Sequence, residues 1–185
     1  FNLVAADVGG AVEELTGFYG PGLMGNRMID GLLGPTWFAP ADWAANVMFN
    51  QNYWTKYPQE IVFSFFERQP ALIGAVTILP PDAPTVTVTD ASTAPAEVEV
   101  WTSMDIAPER FTKVATATLE AKPGEQIITF PATRARFVKL RLLSAASPRV
   151  VEIAEVRVLE SVREGYEPLF NRVPDAKLWK GGPRE

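Results

Sequence analysis

The chain has 185 residues, a length that favours one domain with a single hydrophobic core and excludes a disulfide-stapled miniprotein. Hydrophobic residues make up 47% and charged residues 21%, values near the globular average that exclude a disordered chain and a membrane bundle. The net charge of −5 disfavours nucleic acid as a partner, and the absence of Cys and His removes thiol nucleophiles, imidazole bases and Cys/His zinc sites.

The first 58 residues are rich in loops. Eight glycines lie between Gly9 and Gly34, and we expect one or two early strands and a short helix over 41–48. Residues 20–25 match the pattern G-x-G-x-x-G, which binds dinucleotides only between a buried strand and a helix. No such strand precedes the pattern and Pro35 follows it closely, so we interpret it as a surface loop.

From Glu60 onward the hydrophobic pattern has a period of two and is interrupted by turn-forming residues. No alternation of strands with helices is visible, which disfavours a parallel sheet. The pattern predicts an all-β antiparallel β-sandwich. Its predicted strands are 60–66, 72–79, 97–103, 125–130, 136–143 and 151–159, with 85–89 as a weaker candidate.

The pattern breaks after Glu160. The segment 161–185 contains two isolated prolines and ends in Gly-Gly-Pro-Arg-Glu, which is typical of an extended tail or linker. Its aromatic and leucine side chains make it less polar than a free linker, so we expect it to pack on this domain or on a neighbouring one. We therefore divide the chain into a β-sandwich module, 1–160, and a C-terminal tail or linker, 161–185.

Seven of the chain's 20 aromatic residues lie within positions 37–57, a segment too irregular to be one strand. Some of these rings belong to the core, and the others can form an exposed platform that stacks on sugar rings or inserts into a partner. Amide side chains interleave with the rings and suit sugar hydroxyl groups. The candidate ligand-binding residues are Trp43, Asn50, Asn52, Tyr53 and Trp54, with Arg149 in the loop before the last strand.

Two acidic patterns have alternative interpretations. Asp30 precedes Gly31 in a loop, which fits either a simple Asx turn or part of a calcium site. Asp42 and Glu60 lie near one another and near the aromatic residues in the sequence, so a hydrolase with two facing carboxylates is a third functional alternative. Solvated loop acids explain the same pair.

Several short segments appear in an order that is characteristic of one family. They are 2–5, 29–31 with 36–37, 58–63, 97–103, 111–114, 124–126, 130–131, 135–142 and 154–156. On these segments, residues 1–160 resemble the discoidin, or coagulation factor five/eight type C, family. That family shares its fold with the galactose-binding-like jelly rolls and with a family of carbohydrate-binding modules.

The resemblance implies an eight-stranded antiparallel jelly roll that serves as a binding module in larger secreted or cell-surface proteins. It also implies a structural calcium ion, with oxygen ligands from Asp30, Thr36 and Glu155. Leu32 and Leu33 stand where family members often carry Asp or Asn, which leaves only backbone carbonyl groups there. The ligand-binding loops of the family vary, so no ligand residue carries over by motif.

We expect a non-catalytic module that binds carbohydrate through its end loops. The alternative is a structural or protein–protein interaction module that docks a neighbouring domain of the parent chain. The sequence has no apolar run long enough for a transmembrane helix. Because the chain opens at Phe1 without a secretion signal, we expect any signal or preceding domain to lie outside it. The expected location is secreted, periplasmic or at the cell surface.

Overall fold

The computed structural model describes residues 1–16, 25–31, 37–39, 56–82, 92–147 and 150–173, with the backbone alone at 26 and 37–39. Within these ranges it contains ten strands and five short 3₁₀ helices, and no helix is long and apolar enough to span a membrane. The strands are β1 (Ala11–Leu15), β2 (Trp37–Ala39), β3 (Gln59–Ser64), β4 (Ala71–Leu79), β5 (Glu97–Ser103), β6 (Thr112–Thr118), β7 (Gln126–Ala135), β8 (Phe137–Leu142), β9 (Val151–Ile153) and β10 (Glu155–Glu160). The 3₁₀ helices are Ala6–Val8, Gly25–Met28, Phe66–Arg68, Pro108–Arg110 and Leu169–Arg172.

The described strands form three antiparallel sheets. The largest has the order β1-β3-β8-β5-β6, a second has the order β10-β4-β7, and β2 pairs with β9. The first two sheets face one another across the core, so the chain is an antiparallel β-sandwich as predicted. Every pair of described strands is antiparallel.

The core forms from the inward faces of the two large sheets. Along β8, Val138, Leu140 and Leu142 are fully buried while Lys139 and Arg141 alternate with them on the other face. This period of two is the pattern that identified the strand, since successive side chains point to opposite faces. Phe63 of β3 and Ile78 of β4 meet the same cluster from the two sheets. Burial of these side chains supplies most of the folding free energy.

The strand connections gather at the two ends of the sandwich. We call one the loop end: β3 and β5 begin there, at Gln59 and Glu97, and β4 and β8 finish there, at Leu79 and Leu142. We call the other the opposite end, where β4 begins, β7 finishes and β10 runs out at Glu160. Any site built from connections therefore belongs to one end or the other.

The six main predicted strands are confirmed with two differences, and one strand, β6, was not predicted. The run 151–159 is two strands, because Val151 to Ile153 pair with β2 whereas the chain after Ala154 pairs with β4. The predicted strand 125–130 continues to Ala135 in the structure. Its pairing with β4 persists past a register shift between Ile73 and Ala75 of β4. The expected early strands are β1 and β2. The candidate strand 85–89 and the candidate helix 41–48 lie outside the described residues.

The outer face of the large sheet is less solvated than its pattern predicts. Glu99 and Trp101 alternate with buried valines and are predicted to face water, yet Glu99 is only 8% exposed. Its carboxylate accepts hydrogen bonds from Trp101 Nε1 at 3.0 Å, Lys113 Nζ at 3.0 Å and Arg141 Nη1 at 3.3 Å. These contacts hold the pKa of Glu99 below its usual value, with Lys113 as the main cause. A second, smaller apolar cluster around Phe111 packs on the same face.

The segment that follows β10 packs back on the sandwich. Leu169 and Val173 are buried in the main core, and the ring of Phe170 meets the ring of Phe1 edge-on at 4.8 Å. The hydroxyl of Tyr166 accepts a hydrogen bond from the backbone N–H of Leu72 at 2.9 Å. Residues 161–173 therefore contribute to the opposite end, while the boundary at residue 160 stays a prediction.

Candidate functional site

The predicted ligand residues fall in two segments of the chain. All of them lie outside the described residues: Trp43, Asn50, Asn52, Tyr53 and Trp54 between β2 and β3, and Arg149 between β8 and β9. The described residues that flank the two segments do, however, show that the boundaries of one segment lie next to the boundaries of the other.

Both segments are bounded by the same two strand pairs. The first leaves β2 at Ala39, which pairs with Val151, and enters β3 at Gln59, which pairs with Leu142. The second leaves β8 at Leu142 and enters β9 at Val151. The aromatic segment and the loop that carries Arg149 therefore start and finish beside one another at the loop end.

The described part of the loop end is a rigid base. The backbone N–H of Ala146 donates to Ala94 O at 2.9 Å, and Ala96 N–H donates to Ser144 O at 3.0 Å, so the chain entering β5 is joined to the chain leaving β8. Below them Glu152 is fully buried, and Thr93 Oγ1 donates a hydrogen bond of 2.6 Å to its Oε2. A buried carboxylate must be held by such partners, because isolated burial costs several kcal/mol (about 3–5).

Glu152 is a structural residue that the sequence analysis missed. Its signal was present, since a single acid interrupts the apolar run Val150, Val151, Ile153 and Ala154. An acid within such a run indicates a buried carboxylate with fixed partners. Its hydrogen bond with Thr93 holds the chain that enters β5 against β9.

The predicted metal ligands are brought together in part. Asp30 and Glu155 approach one another at the loop end of β10, and Thr36 lies outside the described residues. Glu155 is 3% exposed, and its Oε2 accepts a hydrogen bond of 3.3 Å from the backbone N–H of Gly31. Gly31 has a φ of 73°, a left-handed conformation that favours glycine.

The electrostatics of Glu155 favour a nearby positive charge. The pKa of its carboxyl is raised to about 7, mainly by burial; the charges of Asp30 and Glu125 also raise this pKa, while Gly31 N–H and Arg157 lower it. Within the described ranges, no three Asp, Glu, His or Cys side chains converge as a metal site. Two carboxylates of which one is buried do fit a hard cation that also takes backbone oxygens, as calcium does.

The carboxylate pair of the hydrolase alternative does not assemble within the described residues. Asp42 lies outside them, and Glu60 is on the outer face of the large sheet, where its Oε1 accepts a hydrogen bond of 2.9 Å from Arg141 Nε. The glycine pattern at 20–25 leads into a 3₁₀ helix of four residues, Gly25–Met28, which offers no helix N-terminus for a phosphate.

Comparison with known proteins gives a match at the level of structure alone. No family model matches the chain, and no curated protein sequence matches it. The solved structures that superimpose on it include CpGH89CBM32-5 from Clostridium perfringens, in complex with GalNAc-β-1,3-galactose. That structure has a TM-score of 0.64 and 17% identity, with 86% of this chain and 99% of that chain covered.

Two further structures are similar to the same degree. CBM32-3 from a family 31 glycoside hydrolase of Clostridium perfringens has a TM-score of 0.66 and 17% identity, covering 87% of this chain and 96% of that chain. Chitosan-binding module 2 from a chitosanase/glucanase of Paenibacillus sp. IK-5, in complex with chitotriose, has a TM-score of 0.62 and 20% identity, covering 85% and 98%. At these identities the likeness establishes the shared β-sandwich fold.

Proposed function

We propose that this chain is a non-catalytic carbohydrate-binding module that holds its ligand at the loop end. The observation that carries the proposal is the pairing at that end, where the aromatic segment and the Arg149 loop share their boundary strands. The fold supports it, since the similar structures include modules solved with a galactose-containing disaccharide and with chitotriose. Membership of the discoidin-like branch of this fold is part of the proposal.

The chemistry proposed for the site is recognition without bond breaking. Trp43, Tyr53 and Trp54 would stack on the apolar faces of sugar rings, and Asn50, Asn52 and Arg149 would bind their hydroxyl groups. Binding sites of this kind need a few well-placed polar groups on a fixed base. The base described above, with Thr93 bonded to the buried Glu152, is such a support.

A structural calcium ion at Asp30, Thr36 and Glu155 belongs to the same proposal. The ion would supply positive charge beside Glu155, whose burial now disfavours its ionised form. It would also join the loop at Gly31 to the first residue of β10. We further propose that the module is part of a larger protein that is secreted, periplasmic or displayed at the cell surface.

The position of the C-terminal segment separates this proposal from the domain-docking alternative. A tail that covered the aromatic rings would favour docking. As far as Val173, the described tail packs instead at the opposite end, where Tyr166 binds the backbone of Leu72 and Phe170 meets Phe1. This arrangement supports an open loop end.

A glycan array with the 185-residue chain, followed by calorimetric titration of the best ligand, tests the proposal. We expect Trp43→Ala or Trp54→Ala to weaken binding about tenfold, because a stacked ring contributes about 1 kcal/mol or more. Trp101→Ala is the matched control, since Trp101 lies on the outer sheet face, and it should change affinity less than twofold. A folded chain that binds no glycan would contradict the proposal.

A further inference from the structure

A cavity of about 410 Å³ lies at the opposite end of the sandwich, away from the loop end. Its wall includes three guanidinium groups, from Arg134, Arg163 and Arg172. Arg134 is near the end of β7, directly opposite Leu72 of β4 in the sheet register. Arg163 and Arg172 come from the segment after β10 that folds back over this end. Three distant parts of the chain thus bring positive charge to one cavity.

The cavity holds positive charge in a chain whose net charge is −5. Glu167 is the one carboxylate among the described residues of its wall. Arg134 and Arg163 are exposed, and neither forms an ion pair with a carboxylate in the described ranges. Two of the three guanidinium groups are therefore available to a ligand.

Arg172 is held in place but keeps an unused donor. Its Nη2 donates to Pro70 O at 2.9 Å and its Nη1 donates to Gln69 Oε1 at 3.3 Å. Its Nε is buried and has no hydrogen-bond partner among the described residues. Because this nitrogen is buried, Arg172 contributes a fixed positive charge to the wall, and its Nε–Hε group reports on changes in the cavity beside it.

Tyr166 gives the cavity a fixed aromatic wall. Its hydroxyl accepts the hydrogen bond from Leu72 N–H at 2.9 Å and donates to Glu160 Oε1, so both functions of the hydroxyl are in use. The side chain is half-buried and cannot swing away without breaking these bonds. The cavity therefore presents a rigid ring beside three guanidinium groups.

We propose that this cavity is a second binding site, which takes the oxyanion of an acidic sugar, a carboxylate or a sulfate. Guanidinium groups bind both oxyanions through paired hydrogen bonds, and more strongly than they bind neutral oxygens. The volume is in the range of small-ligand sites and admits a sugar ring, and the Tyr166 ring offers a surface for its apolar face. A concave site of this size is better suited to binding one charged sugar than to binding the flat surface of another protein. The inference goes beyond the proposed function, because it concerns another end of the molecule.

Arg134 also lines an adjoining depression of about 620 Å³, together with Arg110, the exposed Met104 and one carboxylate, Asp105. If an acidic oligosaccharide extends from the first cavity into this depression, its second ring would therefore also lie beside arginine side chains. This continuity predicts tighter binding of a trisaccharide than of a monosaccharide.

The test is NMR of the ¹⁵N-labelled 185-residue chain, read at the Nε–Hε resonance of Arg172. Trigalacturonate, a 6-O-sulfated galactotriose and neutral galactotriose are titrated separately, since they differ at the charged group. We expect one or both anionic sugars to shift the resonance, and the stronger response identifies carboxylate or sulfate as the preferred group. Neutral galactotriose should leave the resonance unchanged.

Variants separate this cavity from general charge attraction. Arg134→Gln and Arg163→Gln should each weaken binding of the anionic sugar about tenfold, as expected for loss of a charge-assisted hydrogen bond. Arg136→Gln is the matched control, because Arg136 is exposed nearby but does not line the cavity, and it should change affinity less than twofold. Arg134→Gln should leave neutral-glycan binding at the loop end unchanged. The proposal for the cavity and the proposal for the loop end can therefore be contradicted separately.

Three results would overturn the inference. The first is an Arg172 resonance that neither anionic sugar moves. The second is an equal loss of affinity in Arg134→Gln and Arg136→Gln. The third is tighter binding of a hexaglutamate peptide than of either sugar with the same arginine dependence, which would assign the cavity to an acidic protein segment.

Discussion

The backbone N–H of Gly31 donates a 3.3 Å hydrogen bond to Oε2 of Glu155, and thereby joins an early loop to the first residue of β10. Because Glu155 is 3% exposed, this single bond does not replace the solvation that its carboxylate loses. The result is a pKa raised to about 7, with burial as the main cause.

This raised pKa predicts that Glu155 destabilises the fold as pH increases. Between the ordinary carboxyl pKa and about 7 the folded chain binds the proton more tightly than the unfolded chain, so the free energy of unfolding falls with rising pH. In chelator, Glu155→Gln should remove this slope and stabilise the protein at pH 8 by about 1–2 kcal/mol, after allowance for solvent screening. Urea unfolding from pH 4.5 to 8 measures the effect.

The same substitution at Glu164, which is exposed, is the control for that experiment. Glu164→Gln should follow the wild-type profile. A wild-type stability that rises steadily from pH 5 to 8 relative to Glu155→Gln would show that the carboxylate has a compensating partner.

Calcium should reverse the unfavourable effect of Glu155. If the ion binds beside Asp30 and Glu155, it stabilises the folded chain by about 2.7 kcal/mol at one hundred times its dissociation constant. The gain should be larger at pH 8 than at pH 5.5, because the ligand must be ionised. Asp30→Asn and Glu155→Gln should each abolish the gain in a thermal melt, and Glu164→Gln should retain it. Melting curves that are identical with calcium and with chelator at pH 8 would remove the ion from the account.

The hydrogen bonds of Glu99 should contribute more to stability than an exposed ion pair. Glu99→Gln weakens contacts with Lys113 and Arg141 on the outer sheet face, at an expected cost of about 1–3 kcal/mol. Glu120→Gln removes the exposed pair with Lys122 and should cost less than about 0.5 kcal/mol. Chemical denaturation compares the two variants, and equal costs would mean that the Glu99 contacts are effectively solvated.

The packing of the tail predicts that it stabilises the module. Leu169 is 1% exposed within the main core, so Leu169→Ala should lower the free energy of unfolding by about 2–4 kcal/mol. Val162 is 67% exposed in the same segment, and Val162→Ala should change it by less than about 0.5 kcal/mol. Thermal or urea unfolding of the two variants gives the comparison. A tolerated Leu169→Ala would place residues after 160 outside the cooperative unit.

The strands that could be predicted are those with large apolar residues on one face. Strand β5 was predicted at its observed bounds, because Val98 and Val100 alternate with polar residues. Strand β6 was missed, since Val114 is the one large apolar side chain in Thr112–Thr118 and the strand lies at the edge of its sheet. Its strand character comes from pairing with β5, a tertiary contact that no local pattern reports.

The sites were predictable only where a local pattern or the family resemblance carried them. Asp30 came from its position before a glycine and from the resemblance, and Glu155 came from the resemblance alone; the described residues bring them together at Gly31. The arginine cavity has no such signal, because Arg134 and Arg172 meet only after the chain folds back over β4. A surface arginine has the same sequence pattern whether or not it lines a cavity.

Chemical-shift mapping with the glycan that binds best on the array tests the central claim most directly. We predict that a neutral ligand perturbs the backbone amides that flank the loop end, at 56–59, 93–96 and 144–147, and leaves Arg134 and Trp101 unchanged. Perturbations centred on the outer sheet face or on the opposite end, or no saturable binding of any neutral glycan, would contradict the claim that the loop end is the sugar site.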